Sequence, residues 1–294
     1  MGLLKELPAP PPGKSGWPWT EEVDPVIYSS EVEWPKVSMV TPSFNQGQFI
    51  EETIRSILLQ NYPDLEYFIF DAGSTDETVE IIQKYANWLS HWKSESDRGQ
   101  SHAINKGLNM ATGKYQGYLN SDDALTPKSL WHTAITLTAN LGVSVVYGHA
   151  YITDSNSKVT GFIAAIGFSI HKTVNRIFCV IQPGSLWLAS AYGSSPKFNE
   201  SNKTSMDGEF YVELLLRNHL FKKIDQPLVF FRMHPESITY SIKTKQQSAS
   251  AWDEIISNLS KTHKTNRLQI FFMRAYYFIL RRIINTKFLF LRKI

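Results

Sequence analysis

The 294-residue chain reads as an α/β fold, a mostly parallel sheet flanked by helices, with an amphipathic helical tail at its C-terminus. Three observations predict this. From Lys36 onward, short apolar runs of strand length alternate with stretches of helical period, the pattern of parallel strands joined by right-handed crossovers. Polar clusters stand where those runs stop: Asn45, Asp71, Asp97 with Arg98, and Asp122 with Asp123. Ligands of open sheets sit beyond the carboxyl ends of the strands, so these groups share one rim. Charge is also divided, because residues 255–294 hold nine Lys or Arg and no Asp or Glu, leaving 21 basic against 27 acidic groups before them.

Residues 1–34 are rich in Pro, Gly and Trp without a sustained period, which predicts a loose lead-in whose Trp17, Trp19 and Trp34 can dock on the globule. Val37 to Thr41 is the first strand, the stretch from Pro42 to Gly47 turns, and Phe49, Ile54, Ile57 and Leu58 fall at helical spacing. Leu65 to Phe70 is the second strand. Ser74 with Glu77 has the spacing of a capping box for a helix running to about Tyr85. A strand around Leu89 to Ser94 leads into a helix ending near Met110, and Tyr115 to Leu119 is the fourth strand. Pro127 opens the next helix, and Val143 to Tyr147 is a further strand. The domain reading is therefore a lead-in at 1–34, an α/β domain at 35–245 divided into two halves near residue 125, and a basic tail at 246–294.

Composition excludes several classes of function. Apolar residues make up 43% of the chain, enough for a substantial core. The single cysteine, Cys179, permits neither an internal disulfide nor a cysteine-built metal site, and it reads as a buried small hydrophobe. A slightly acidic globule with a basic tail does not suit a nucleic-acid binder, whose basic surface belongs on the folded domain. No stretch reads as a signal peptide, and no uncharged apolar run reaches the ~18–20 residues that cross a bilayer. Phosphate-loop, dinucleotide-fold and hydrolase-elbow glycine signatures are all missing, so phosphate must be held by a metal and basic side chains.

Two residue groups carry chemistry in their own right. Asp122 and Asp123 follow an apolar strand, and a divalent cation relieves the repulsion of adjacent carboxylates while bridging phosphate oxygens. The same pair also suits a solvated turn or a helix cap. Asp71 offers two acceptor oxygens to a base or ribose, or serves as a turn residue beside Gly73.

Six separated motifs resemble glycosyltransferase family 2 in order and spacing. They are Val37–Gly47, Glu52–Ile57, Asp71–Asp76, Asp97–Ser101, Ala103–Gly107 and Leu119–Asp123, within a similarity covering about residues 36–240. The resemblance implies the GT-A fold, Rossmann-like, with inverting transfer from a nucleoside-diphosphate sugar, UDP-linked by preference, and Mn²⁺ or Mg²⁺. It implies that Thr41, Pro42, Phe44 and Asn45 floor the nucleotide pocket and that Asp71 contacts base or ribose. Asp97 and Arg98 line the donor site, and Asp122 and Asp123 serve ribose and metal, Asp123 foremost for the metal. Ala72, His102 and Asn120 stand where the family often has acids. The segment Gln182–Ser185 resembles an acceptor-side strand. Met206–Phe210 resembles an element that makes Asp207 the general base, with Glu209 the next choice; Asp207 also suits a plain acid at a helix N-terminus. His234, in Phe231–Thr239, is a third metal ligand, a diphosphate contact or a structural histidine.

Arg267, Arg274 and Arg281 recur at seven-residue spacing among aromatic and aliphatic residues, which predicts an in-plane helix on an anionic membrane surface or a helix packed on the domain. The whole reads as a cytoplasmic enzyme at the inner membrane face, transferring sugar to a glycan or lipid-linked hydroxyl. The competing reading is a catalytically silent sugar-nucleotide-binding or scaffolding protein.

Overall fold

A computed structural model describes residues 2–28, 31–174, 180–193, 197–237, 249–253 and 255–257. In chain order the elements are β1 (Val37–Ser43), α1 (Ile50–Leu58), β2 (Leu65–Asp71), α2 (Thr78–Lys84), β3 (His91–Ser94), α3 (Gln100–Met110) and β4 (Tyr115–Tyr118). They continue with β5 (Ala124–Leu125), α4 (Ser129–Ala139), β6 (Val143–Thr153), β7 (Val159–Ile163), α5 (Ile170–Val174), β8 (Leu186–Leu188), α6 (Met206–Leu216) and β9 (Leu220–Arg232). One sheet runs in the order β3-β2-β1-β4-β8-β6-β9-β5, with β7 on β6.

The first four strands pair in parallel, as the alternating sequence pattern requires. All seven residues of β1 are buried, because the strand lies between β2 and β4 with helices on both faces. On one face α3 comes so close that a Cβ at Gly107 would stand 2.5 Å from Val40 Cγ1. Register then levels the rim: Ser43 pairs with Asp71, and Asp71 with Ser94, so three strand ends finish side by side.

The second half is mixed. β8 is antiparallel to both β4 and β6, while β6 and β9 form a long parallel pair ending at Thr153 and Arg232. The short β5 pairs antiparallel with β9, Ala124 opposite Phe230. This pairing delivers the residues just before β5, Asp122 and Asp123, to the end of β9.

Two local expectations are corrected. The Ser74–Glu77 capping box does not form: the Ser74 hydroxyl bonds Asp71 Oδ1 at 2.5 Å, and α2 starts at Thr78 without a side-chain cap from Glu77. Asp76 takes over, accepting from the Thr78 amide (3.1 Å) and, across the rim, from the Gly47 amide (2.9 Å).

The lead-in is packed, not loose. Leu7, Trp19, Val23 and Tyr28 are buried, and Trp17 donates its indole N–H to the Leu125 carbonyl at 2.8 Å. The cause is Arg55 of α1, which is fully buried and donates to the carbonyls of Pro8 (2.8 Å), Pro18 (2.9 Å) and Trp19 (2.8 Å). A guanidinium carries five donors in a rigid fork, so one side chain satisfies an irregular segment that has no ladder of its own.

Residues 249–253 and 255–257 are helical, and Trp252 packs beside Val212 of α6. The basic stripe from Arg267 to Arg282 and Cys179 lie outside the described residues. Among the described residues no helix is long and apolar enough to cross a membrane.

Arg55→Ala strands three carbonyls and removes a buried cation, so it should cost about 3 kcal/mol. Urea unfolding measures that loss, and limited proteolysis should show cleavage moving into residues 2–28.

Candidate active site

Above the levelled strand ends lies a cleft of ≈ 620 Å³. Pro42, Ser43, Phe44 and Gln46 line it from β1, Ala72 from β2, and Ser96, Asp97, Gly99, Gln100 and Ala103 from the β3–α3 turn. Asn120, Ser121 and Asp122 follow β4, and Phe231, Arg232, Glu236 and Ser237 close the side formed by β9.

The loop carrying Asp122 is fixed from beneath by α1. Thr53 donates its hydroxyl toward the carbonyls of Ser121 (2.9 Å) and Asp123 (2.6 Å), and Ser56 accepts from the Leu125 amide at 3.0 Å. From the β9 side comes Arg232, 1% exposed. Its Nε donates to the Asp122 carbonyl (2.7 Å), one terminal nitrogen to Glu52 of α1 (3.0 Å), and the other to the Asp154 carbonyl (3.1 Å) and Ser157 hydroxyl (3.0 Å). Its backbone amide donates to Asp123 Oδ1 at 2.9 Å, and its guanidinium lies 4.6 Å from the centre of the Phe49 ring.

This network separates the two neighbouring acids. Asp123, the residue expected foremost for a metal, is 1% exposed, stands outside the cleft wall, and leaves Oδ2 without a partner. Burial and the Asp122 charge push its carboxyl well above the usual range, against the opposing Arg232 amide and charge. Asp122 is the acid on the cleft wall, and its Oδ2 lies 3.2 Å from His234 Nε2. His234 is itself buried against Phe49, with ring centres 4.8 Å apart. Asp122 on the cleft wall, with the His234 nitrogen buried directly behind it, is the pair that could hold Mn²⁺ or Mg²⁺, ions that take the rest of their shell from water and phosphate. Among the described residues no group of three or more His, Cys, Asp or Glu side chains gathers as a closed metal site.

Other expected donor residues hold the loops. Asp71 accepts from the amides of Gly73 (3.0 Å) and Ser74 (2.8 Å) and from the hydroxyls of Ser74 and Ser94 (2.5 and 2.6 Å). It is 2% exposed and lies off the cleft wall. Asn45, at φ 51°, accepts from the Thr75 amide while its own amide donates to Ser74 Oγ. Thr41 is buried and bonded to Tyr67 at 2.9 Å. Pro42, Phe44, Asp97 and Asp122 do line the cleft; Thr41, Asn45, Asp71 and Arg98 do not. Of the residues that depart from the family pattern, Asn120 accepts from Gln100 at 2.6 Å and His102 from the Arg98 amide at 3.3 Å.

Asp207 sits in the first turn of α6, next to Met206, whose sulfur is 2.6 Å from the Ser101 hydroxyl of α3. Burial raises its carboxyl above the ordinary range, opposed by its own amide and that of Gly208. Its charge in turn helps raise the phenols of Tyr118 and Tyr211, chiefly raised by burial. The expected acceptor segment closes this corner, Gln182 donating to the Tyr118 carbonyl (2.9 Å) and Ser185 meeting the Tyr211 hydroxyl (2.5 Å). Glu209 is spent on the preceding loop, accepting from Asn199 (3.0 Å) and Asn202 (2.8 Å).

The sequence profile described as glycosyl transferase family 2 matches residues 38–182, which span β1 to the Gln182 segment. The chain belongs to glycosyltransferase family 2. It is similar to chondroitin synthase of Escherichia coli at 30% identity over 61% of this chain. That match spans only 26% of the relative's length. Among solved structures, S. aureus TarS 1–349 in complex with UDP-GlcNAc matches with TM-score 0.61 and 18% identity, covering 80% of this chain and 69% of that one. The mannosyltransferase PcManGT of Pyrobaculum calidifontis, in complex with GDP-Man and Mn²⁺, matches with TM-score 0.51 and 18% identity over 71% and 58%. These likenesses establish the GT-A fold of the family 2 chain.

Sequence reasoning missed Glu52 and Arg232 as one unit, since they lie 180 positions apart. The signal was a charged residue inside each of two apolar stretches. Arg232→Gln should destabilise the enzyme by about 3–5 kcal/mol, because Glu52 stays buried and unpaired. A double-mutant cycle with Glu52→Gln, read by chemical denaturation, should recover a large part of that loss.

Proposed function

We propose that the enzyme is an inverting, metal-assisted transferase that moves a sugar from a nucleoside diphosphate, UDP by preference, to a hydroxyl of a glycan or lipid-linked acceptor. The charge of the cleft wall carries this reading. Among the described residues its carboxylates are Asp97, Asp122 and Glu236, and its one basic lining residue, Arg232, is already paired with Glu52. A diphosphate does not bind an acidic wall whose cation is spent. Asp122 and His234 are the residues that would hold Mn²⁺ or Mg²⁺, and the ion would supply the positive charge that a leaving diphosphate needs. The complex of PcManGT with GDP-Man and Mn²⁺, and that of TarS with UDP-GlcNAc, support the ligand class. The relative named as a chondroitin synthase favours a glycan acceptor.

Phe44, 57% exposed at the rim, offers a flat apolar face to the nucleoside. Asp97 anchors its own turn through the Gly99 amide at 2.6 Å, keeping the backbone of that turn against the donor. Asp207 is the base. An acceptor oxygen attacks the anomeric carbon from the face opposite the diphosphate, the bond to the phosphate oxygen breaks with its electron pair, and the hydroxyl proton passes to Asp207. A carboxylate raised by burial holds that proton better than an ordinary one, and a base of this type contributes about 10²–10⁴-fold. The basic tail is proposed to keep the enzyme at the inner membrane face.

With Asp122→Asn or His234→Ala, calorimetry should show the Mn²⁺-dependent part of UDP affinity lost, by about tenfold or more, with melting temperature retained in Asp122→Asn and lowered in His234→Ala, whose ring is buried. Equal affinity with and without EDTA in the parent enzyme would reject the metal assignment.

Asp207→Asn should keep donor affinity and lose turnover by about 10²-fold or more. The sign of the pH effect follows from the base: kcat falls as pH drops through a pKa raised above the ordinary carboxylate value. The Asn variant should lack that acid limb, and a limb that survives moves the role elsewhere.

A further inference from the structure

Arg98 presents a contradiction that the fold itself explains. Its neighbours Asp97 and Gly99 both line the cleft, yet Arg98 does not. Its guanidinium is drawn aside by Glu200, which accepts at Oε2 from both Nε (2.9 Å) and a terminal nitrogen (2.8 Å). The pair is open to solvent, with the Arg98 side chain 67% exposed and that of Glu200 30%.

Glu200 belongs to a stretch that is tied down on both sides. Phe198 is gripped by the Asn105 amide group in both directions (2.8 and 3.0 Å). Lys203 donates to the Arg98 carbonyl at 2.6 Å, and Asn199 and Asn202 hold Glu209 in α6. The stretch therefore stays in place without the Arg98–Glu200 contact, so that ion pair is free to exchange. The charged and titratable groups nearby are Lys203, the Asp97 carboxylate and His102.

We propose that Glu200 is a positioning residue that competes with the donor for Arg98: it parks the guanidinium at the rim, and a nucleoside diphosphate takes its place. This rests on the reading of the cleft as a nucleotide-sugar site. An exposed ion pair is weak and is given up at small cost, whereas a diphosphate offers several oxygens to the planar guanidinium fork and binds it more strongly. Arg98 starts one residue from two cleft-lining positions, within side-chain reach. No bond is made or broken; one anion replaces another on the same cation.

The test is calorimetric titration of UDP and of GDP, with Mn²⁺ and at two salt concentrations, into the full chain and its Glu200→Gln, Arg98→Gln and doubly substituted forms. Glu200→Gln removes the competitor and should tighten nucleotide binding about three- to tenfold at low salt, with a smaller gain at high salt. Arg98→Gln should weaken binding, and in that background Glu200→Gln should change nothing. A purely structural Glu200 predicts the opposite sign, a loss of affinity with a lowered melting temperature, and that result overturns the exchange. So does a gain that persists without Arg98, or no gain where the Asp122→Asn control still loses Mn²⁺-dependent affinity. If neither nucleotide binds any form, the nucleotide reading of the cleft falls, and the exchange with it.

Discussion

A guanidinium with almost no access to water holds the rim together. Arg232 ends β9 and bonds α1, the β4–β5 loop and the β6–β7 turn at once. Burying a full ion pair is expensive, and such pairs seldom add net stability over apolar packing. What this pair contributes is position: the Asp122 carbonyl is fixed by Nε while the Asp123 carboxylate is fixed by the amide of the same residue. One residue thereby decides which of two adjacent acids faces the cleft. Thr53 completes the arrangement from the other side by taking the carbonyls of Ser121 and Asp123.

The same economy runs along the first half of the rim. Asp71 spends its carboxylate on two amides and two hydroxyls, and Asn45 and Asp76 tie the β1 turn to the β2 turn. Backbone groups beyond a strand end have no ladder partner and need side chains or water. Supplying those partners from within makes the cleft wall rigid before any ligand arrives, which is the condition for binding without a large ordering cost. The polar residues at strand ends thus do two different jobs, and exposure tells them apart: Asp97 and Asp122 face the cleft, while Asp71 and Asp123 build what lies behind it.

The fold was largely legible because it depends on period. Alternating apolar runs and helical spacing located β1, α1, β2, β3, α3, β4 and α4, and strand ends located the rim. The division of labour at that rim was not legible, because it depends on contacts between distant positions, such as Glu52 with Arg232 or Asp71 with Ser94. Adjacent residues of one motif, Asp122 and Asp123, look equivalent in sequence; β5 pairing with β9 makes them different. The lead-in escaped for a related reason: its residues have no period, and its order comes from Arg55, a donor fork placed on another element. The Ser74–Glu77 spacing misled because Asp71, three residues away on the other side, competes for the same hydroxyl.

Charge placement explains why the functional groups are spread over so many segments. An acidic cleft repels a diphosphate unless a cation joins the two, and a buried carboxylate beside it keeps its proton longer than one in water. Placing the Asp122 and Asp207 carboxylates together would disfavour the charged form of each, the one proposed to hold a metal and the other proposed as the base. The structure separates them: Asp122 lies on the β4–β5 loop against His234, and Asp207 in the first turn of α6, outside the cleft lining. Between them stands the end of β4, whose Tyr118 carbonyl is tied to Gln182. The two proposed roles then have different surroundings: Asp122 stands on the cleft wall beside His234, and Asp207 where its charge acts on the phenols of Tyr118 and Tyr211. That separation requires a sheet that carries loops from both its parallel and its mixed halves to one edge, and the pairing of β4 with β8 provides the join.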